Sequence, residues 1–164
     1  MYKNILSDVT KNSVALYMIE LLHKCLKQPE SNPDLFNFCE DAFLQLDSSD
    51  IEITANFPLY FSLQLAHFFG FQLQNNYSAE RNFFNCREGN FANKILPNDH
   101  FVEADISYHI SQLLKVRHPA ELMEIRLNKN IRRTILSALE NYYAFHIPEF
   151  GLMKTLPVLH ELLG

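Results

Sequence analysis

The chain has 164 residues, of which 48% are hydrophobic and 13% aromatic, which is enough apolar material for one domain with a substantial core. Its four glycines argue against disorder and against an all-β fold with many tight turns. The net charge of −5 at pH 7 disfavours attraction of the whole domain to DNA or anionic lipid. Three widely spaced cysteines indicate reduced, cytosolic thiols, and the short polar start at 1–8 is unlike a signal peptide.

Two amphipathic helices are predicted first. Apolar residues at positions i, i+3/i+4 and i+7 predict a helix over 12–27. A break at 28–31 follows. Asn32 then caps a second helix, which has Pro33 at its first position. The polar run 47–50 separates this helix from the next one.

The stretch from Thr54 to Leu73 is the most apolar part of the chain, and the predicted fold is organised around it. Its apolar residues cover almost the whole circumference of a helix, which indicates burial on all sides. We expect this helix to span about 54–70. Thr54 would be its N-cap, Pro58 would lie in its first turn, and Gly70 would take the left-handed position after its end. Polar side chains interrupt the run, so we predict a core helix and no membrane span.

A β-hairpin is predicted after the central helix. The segments 83–87 and 91–95 flank a turn that contains Gly89. Because an isolated hairpin is only marginally stable in water, its aromatic side chains should pack it against the helices. These aromatic residues are Phe83, Phe84 and Phe91.

Four helical segments complete the chain. The first carries an apolar stripe over about 102–116, and Pro119 starts a short second one. Asn128 caps a long helix over 129–146. A final short helix is predicted over 152–163.

These elements predict one all-α domain that covers 1–164. We expect a compact bundle of about six or seven helices around the buried central helix at about 54–70. The hairpin at about 83–95 would be a small insertion into this bundle.

The sequence contains no recognisable catalytic motif. A glycine-rich phosphate loop, an HExxH pair and a GxSxG elbow are all missing, and none of the seven histidines stands at a metal-ligand spacing. A small helical enzyme that uses His67 or His146 in a buried pocket is still one hypothesis. The alternative is that His67 bonds to the backbone or to a neighbour, and that His146 packs within an aromatic stripe.

The second half of the chain carries a cluster of basic residues. From 115 to 133 there are six bases and only two acids, although the whole chain is acidic. Such a segment is suited to phosphates or to an acidic peptide; the alternative is an ordinary solvated face. The candidate basic face consists of Lys115, Arg117, Arg126, Lys129, Arg132 and Arg133.

Four segments follow one another in a characteristic order: YKNILSDVTKNSVALYMIELLHKCL (2–26), PESNPDLFNF (29–38), FPLYFSLQLAHFFGFQL (57–73) and LENYYAFHIPEFGLMKTLPVLHELL (139–163). The last segment is the most specific one, with an aromatic-x-x-His, a proline and then a leucine-containing helix. Together the four segments resemble the C-terminal helical domain of the bacterial recombination mediator RecO. The resemblance runs nearly from end to end.

The resemblance implies a zinc module after the central helix, because well-known RecO proteins carry two closely spaced cysteine pairs there. Only Cys86 lies in this region, and one thiolate cannot form a structural zinc site. We therefore expect no zinc and no other cofactor. The family also has an N-terminal OB-fold as its main DNA-binding domain. This sequence begins where the helical domain is expected, like a fragment of a longer protein.

The resemblance also implies a role in DNA repair. RecO-like proteins help to load the strand-exchange recombinase onto DNA coated by the single-stranded-DNA-binding protein, and they anneal complementary strands. Their partners are the ring-forming protein RecR and, through the helical domain, the acidic, Phe-ended tail of the coating protein. We expect the same partners here, with no enzymatic activity, no membrane contact and a cytoplasmic, nucleoid-associated location.

Binding of that tail requires an apolar pocket for its ring and basic groups for its carboxylates. In known members an arginine near the start of the central helix contributes. The aligned position here is Leu59 or Tyr60, and with Leu63 these residues would form the apolar pocket. The bases would then come from the candidate basic face. A helical interaction module unrelated to repair is the remaining alternative.

Overall fold

The computed structural model of the chain describes residues 1–28 and 30–163. Within these residues it contains six α-helices, one 3₁₀ helix and three short β-strands. This confirms the predicted bundle of six or seven helices and adds one strand. The elements in chain order are α1 (Val9–Cys25), α2 (Pro33–Ser48), α3 (Ile51–Phe68), β1 (Phe83–Asn85), β2 (Asn90–Ala92), β3 (Phe101–Val102), α4 (Ala104–Leu114), the 3₁₀ helix (Pro119–Glu124), α5 (Lys129–His146) and α6 (Leu156–Leu163).

The first two helices begin at side-chain caps. Asp8 caps α1 by accepting a hydrogen bond from the Lys11 amide at 3.0 Å, so this helix begins before its predicted start. Asn32 caps α2 as predicted, through a hydrogen bond of 3.1 Å. The predicted break between the two helices includes Pro29, which lies outside the described residues.

The central helix α3 also begins earlier than predicted. Its N-cap is Asp50 and not Thr54, and Asp50 accepts a hydrogen bond from the Ile53 amide at 3.1 Å. Thr54 instead donates its hydroxyl to the Asp50 carbonyl at 2.7 Å. Pro58 therefore lies inside the helix, where it lacks the amide of an ordinary helical residue. The predicted end is confirmed, because Gly70 follows the helix with a left-handed φ of 83°.

Helix α3 lies at the centre of the fold. It packs against α1, α2, α4, α5 and the 3₁₀ helix, and 12 of its 18 residues are buried. Ser62 of α3 bonds inside this core: its Oγ lies 2.7 Å from the Tyr17 hydroxyl, and its carbonyl accepts from the Tyr143 hydroxyl at 2.6 Å. None of the described helices has the length and the hydropathy that crossing a membrane demands.

The predicted hairpin is present and carries a third strand. Strands β1 and β2 pair antiparallel with Phe84 opposite Phe91, and Gly89 in the turn has a left-handed φ of 69°. Strand β3 pairs antiparallel with the other edge of β1. Phe84 and Phe91 are buried in the core with their ring centroids 5.5 Å apart, and Phe83 is half-buried. The strands are shorter than predicted, with three residues each in β1 and β2.

The C-terminal helices agree with the prediction, apart from differences at the ends of α4 and at the start of α6. Helix α5 has the predicted bounds and is capped by Asn128, and α4 and the 3₁₀ helix lie within the predicted segments. Helix α6 begins at Leu156, later than predicted. The backbone before it is bound by another helix: Glu20 of α1 accepts hydrogen bonds from the amides of Lys154 and Thr155 at 2.8 and 2.9 Å.

Two carboxylates join distant parts of the chain. Asp47 of α2 accepts hydrogen bonds at 2.8 to 3.1 Å from the backbone amides of residues 3–5. These bonds lower the pKa of Asp47 below its ordinary value of 3.8, and the bond from the Lys3 amide has the largest effect. Burial raises the pKa of Glu20, but hydrogen bonds from the Thr155 hydroxyl and from two backbone amides together outweigh it, so that the pKa lies below the ordinary 4.5.

These lowered pKa values predict a fold that is sensitive to acid. A carboxylate whose pKa is lower in the folded state stabilises the fold above its unfolded pKa, and this contribution is lost as the pH falls through the folded pKa. We therefore expect the Tm to fall most steeply below about pH 4. Asp47→Asn should lower the Tm at pH 7 and have a much smaller effect at a pH below the folded-state pKa of Asp47, where both proteins lack the charge. Thermal melts followed by circular dichroism measure this difference.

Glu80→Gln is the matched control, because Glu80 is an exposed carboxylate of the loop before β1. This variant should follow the pH profile of the unmodified chain. An Asp47→Asn variant with the same Tm deficit at both pH values would contradict the assignment of the acid sensitivity to this carboxylate.

Candidate functional site

The six residues of the candidate basic face do not share one surface. Five are exposed, whereas Arg132 is buried. Three of the exposed bases border separate concavities: Arg117 a polar cavity of about 390 Å³, Arg126 an open groove of about 750 Å³, and Arg133 a groove of about 440 Å³. Adjacent residues of a helix point about 100° apart, which is why Arg132 and Arg133 have different surroundings.

Arg132 is a structural residue, which corrects its assignment to the basic face. Its side chain is only 8% exposed, and its Nε donates to Asn56 Oδ1 at 3.0 Å. The two Nη atoms donate to the carbonyl oxygens of Leu127, at 3.2 Å, and Leu163. Arg132 thereby joins α3, α5 and α6. Burial lowers its pKa, but a guanidinium stays protonated at neutral pH, and these three acceptors are neutral.

An open groove lies beside Arg132, between the first turns of α3 and α5 and the 3₁₀ helix. Two of its apolar side chains face solvent: Ile51 is 76% and Met123 51% exposed. Arg126 is exposed at this groove, and Glu52 contributes one opposing carboxylate. We call it the α3–α5 groove, and its lining includes Ile51, Ala55, Met123, Arg126, Ile131 and Arg132.

The three residues predicted to form a tail pocket are core residues, so that prediction needs correction. Leu59, Tyr60 and Leu63 are 0%, 7% and 4% exposed, because other helices enclose α3 at this level. The α3–α5 groove lies about one turn nearer the N-terminus of the same helix, at Ala55. The spacing of the apolar residues identified α3 as a buried helix. It does not show at which residue of α3 the neighbouring helices cease to bury it.

The two histidines of the catalytic hypothesis are in packing and hydrogen-bonding positions. His67 is exposed, with its Nδ1 2.9 Å from Gln72 Oε1. It borders the polar cavity that Arg117 also lines, with no Asp, Glu or Lys among the described lining residues, and an arginine does not exchange protons at neutral pH. His146 stacks on an aromatic ring, and its Nε2 lies 2.9 Å from the Arg87 carbonyl oxygen. The geometry agrees with the alternative proposed for both residues.

Two features of the α3–α5 groove could not be predicted from the sequence. The bond between Asn56 and Arg132 joins residues 76 positions apart, which helical periodicity cannot reveal. Ile51 was not assigned to an apolar stripe, because it follows directly on the polar run 47–50. Its exposure is visible only once the start of α3 is known.

Comparison with known proteins defines the family. The model of the family described as "Recombination protein O C terminal" matches residues 6–155. The chain belongs to the RecO C-terminal family. No solved structure matches the chain.

Several relatives are named DNA repair protein RecO. The protein from Azobacteroides pseudotrichonymphae is 28% identical over 97% of this chain. Those from Christiangramia forsetii and from Porphyromonas gingivalis strain W83 are each 32% identical over 99% of this chain. The chain spans 65% to 66% of the length of these three relatives.

Cys86 does not fit the zinc site that the resemblance to RecO implies. Its side chain is 3% exposed, and burial raises its pKa to about 12. One buried thiol supplies a single ligand, whereas a structural zinc site takes four. Among the described residues, no three His, Cys, Asp or Glu side chains are grouped so that they could hold a metal. The strand β1 is tied to α4 by a hydrogen bond of 2.9 Å from the Phe84 amide to Ser107 Oγ.

We predict that this RecO domain folds without zinc. EDTA should then leave its Tm unchanged within about 1 °C, because chelation would remove no metal–ligand bond that contributes to folding. Elemental analysis of the purified domain should find well below one zinc per chain. Stoichiometric zinc, together with a Tm that falls by several degrees on chelation, would contradict this prediction.

The buried position of Arg132 predicts a large effect of its removal. Arg132→Ala should lower the free energy of unfolding by about 2 to 5 kcal/mol, because Asn56 and two carbonyl groups lose their donor. Arg133→Ala, at the exposed next position, is the matched control and should change it by less than about 0.5 kcal/mol. Urea unfolding measures both values. Equal stability of the two variants would contradict the structural role of Arg132, because its hydrogen bonds would then not stabilise the fold.

Proposed function

We propose that this chain is the partner-binding helical domain of a RecO-type recombination mediator in DNA repair. The observation that carries the proposal is the family match over residues 6–155, and the names of the relatives support it. In this role the domain helps to load the recombinase onto single-stranded DNA and to anneal strands, by binding other molecules and not by catalysing a reaction. An interaction module unrelated to repair has no comparable support.

The proposed ligand of the α3–α5 groove is the acidic, Phe-ended tail of the single-stranded-DNA-binding protein. Such a tail presents one aromatic ring and several carboxylates. The exposed side chains of Ile51 and Met123 offer apolar contact for the ring, and a methionine adapts its shape to an aromatic partner. Arg126 offers a planar guanidinium, which binds a carboxylate through two parallel hydrogen bonds.

The charges of the α3–α5 groove favour an acidic ligand. Arg126 and Arg132 both line it, against the single carboxylate of Glu52. Because Arg132 is buried and donates to neutral oxygens, its charge is screened less than that of an exposed residue. The groove is therefore locally positive on a domain whose net charge is −5.

A RecR-like ring protein is the second proposed partner, on the strength of the family membership. We further propose that the whole mediator contacts DNA mainly through the OB-fold that RecO proteins carry N-terminal to the helical domain. A cytoplasmic, nucleoid-associated location follows from this role.

Fluorescence anisotropy with a labelled acidic peptide that ends in Pro-Phe tests the tail site. We expect saturable binding that weakens as salt rises, because carboxylates pair with guanidinium groups. Arg126→Glu should weaken binding at least about tenfold, which corresponds to about 1.4 kcal/mol. Replacing the terminal Phe of the peptide by Ala should also weaken it, because the ring loses its apolar contact.

Arg117→Glu is the matched control for charge, since Arg117 is exposed but borders a different cavity. It should bind the peptide within about twofold of the unmodified domain. Equal weakening by both substitutions would indicate general electrostatic attraction and not a site in the α3–α5 groove. An absence of binding at every salt concentration would remove the tail from the proposed function.

A further inference from the structure

A second surface of the domain carries exposed aromatic rings. Phe145, near the end of α5, is 41% exposed, and Phe101 of β3 is 40% exposed. A neighbouring ring supports each of them: His100 lies 5.4 Å from Phe145, and Phe83 lies 6.2 Å from Phe101, between centroids. Rings that are held in place but still exposed can stack on a ligand with little loss of side-chain entropy.

Two arginines accompany these rings. The guanidinium carbon of Arg87 lies 5.5 Å from the centroid of Phe145. Arg133 is exposed and lines the groove of about 440 Å³ between α5 and β3, which Phe101 also lines. We call this the α5–β3 groove. Cations and aromatic faces therefore occur together on this surface.

Helix α5 carries polar side chains and Phe145 at every fourth position. Arg133, Ser137 and Asn141 line the α5–β3 groove, and Phe145 follows at the same interval of four residues. Positions i, i+4, i+8 and i+12 form one ridge of a helix, which winds about 40° per step, so that twelve residues span about 18 Å along the axis and about 120° around it. We call these four residues the α5 ridge. Its length along the axis corresponds to about five phosphates at the spacing of about 3.4 Å that one strand of stacked duplex DNA has.

We propose that the α5 ridge and its neighbouring rings bind a short stretch of single-stranded DNA. Bases would stack on Phe145 and Phe101, and phosphates would pair with Arg87 and Arg133. Single-stranded nucleic acid is the ligand that uses aromatic faces and backbone charges together. The choice of DNA over RNA rests on the proposed repair function, whereas the stacking site rests on the geometry of the rings and charges.

The charges of this surface set the expected strength of binding. Asp99 also lines the α5–β3 groove and opposes the two arginines, and the whole domain carries a charge of −5. Binding is therefore expected to be weak. Two neutralised phosphates predict a slope of about −1.4 for the logarithm of affinity against that of salt concentration. A tenfold rise in salt should thus lower the affinity about 25-fold.

The chain contains no tryptophan, so Phe145→Trp places a single fluorescent reporter on the α5 ridge. We expect an oligothymidine of about 15 nucleotides to quench this reporter saturably, because a base stacks on the indole. Phe36→Trp is the matched control, since Phe36 is 65% exposed and borders a different groove, between α1 and α2. Heparin, which has anionic groups but no bases, should quench neither reporter.

Anisotropy of a labelled oligothymidine gives the affinity of further variants. Phe145→Ala should weaken binding by about five- to a hundredfold, which is the range for the loss of one stacked base. Phe145→Tyr keeps the ring and should bind within about twofold. Arg133→Glu should weaken binding and reduce the salt slope by about 0.7. Circular dichroism melts establish that each variant is folded.

Three results of the oligonucleotide titrations would overturn the proposal. They are unchanged binding by a folded Phe145→Ala variant, equal quenching at positions 36 and 145, and no oligonucleotide binding even at low salt. Equal competition by an acidic peptide would also overturn it, since it would show a general anion site. The tail site is tested separately: Arg126→Glu should weaken the peptide and spare the oligonucleotide, whereas Phe145→Ala should do the reverse.

Discussion

The burial of α3 on all sides is the constraint on which the rest of the fold depends. Polar atoms of such a helix need partners inside the core, because an unpaired one is costly there. Ser62 Oγ donates to the Pro58 carbonyl at 2.7 Å, so the Tyr17 hydroxyl donates to Ser62 Oγ. The Tyr143 hydroxyl donates to the Ser62 carbonyl. Burial raises the pKa of both tyrosines, which keeps them neutral donors and ties α1 and α5 to α3.

The same principle repeats at the N-terminal end of α3. Asn56 uses both atoms of its amide: the oxygen accepts from Arg132 of α5, and the nitrogen donates to the Ile125 carbonyl at 3.2 Å. These bonds fix the start of α5 and the chain after the 3₁₀ helix against α3. The α3–α5 groove is therefore bounded by three segments that one amide holds together. A partner that enters it meets a preformed surface, which reduces the ordering cost of binding.

N-cap residues and apolar periodicity were sufficient to predict that the long helices exist. They were not sufficient to predict the residues at which adjacent elements begin and end. The start of α3 was misplaced because Asp50 and Thr54 are both capping residues one turn apart, and only the structure shows that Thr54 bonds back to the Asp50 carbonyl. Strand β3 has two residues, too few for a recognisable alternation. The functional surface was less predictable still. Charge alone did not distinguish Arg132 from Arg133, and only the structure shows that Arg132 is buried by its contacts with α3 and α6 while Arg133 stays exposed.

The geometry of α5 keeps its two grooves apart. Ile131 and Arg132 line the α3–α5 groove, whereas Arg133 and Ser137 line the α5–β3 groove. Because a helix turns about 100° per residue, a ligand in one groove leaves the other open. A single continuous basic face would instead force an acidic tail and a DNA strand to compete. On a domain of net charge −5, the two proposed sites would leave an acidic tail and a DNA strand free to bind at the same time.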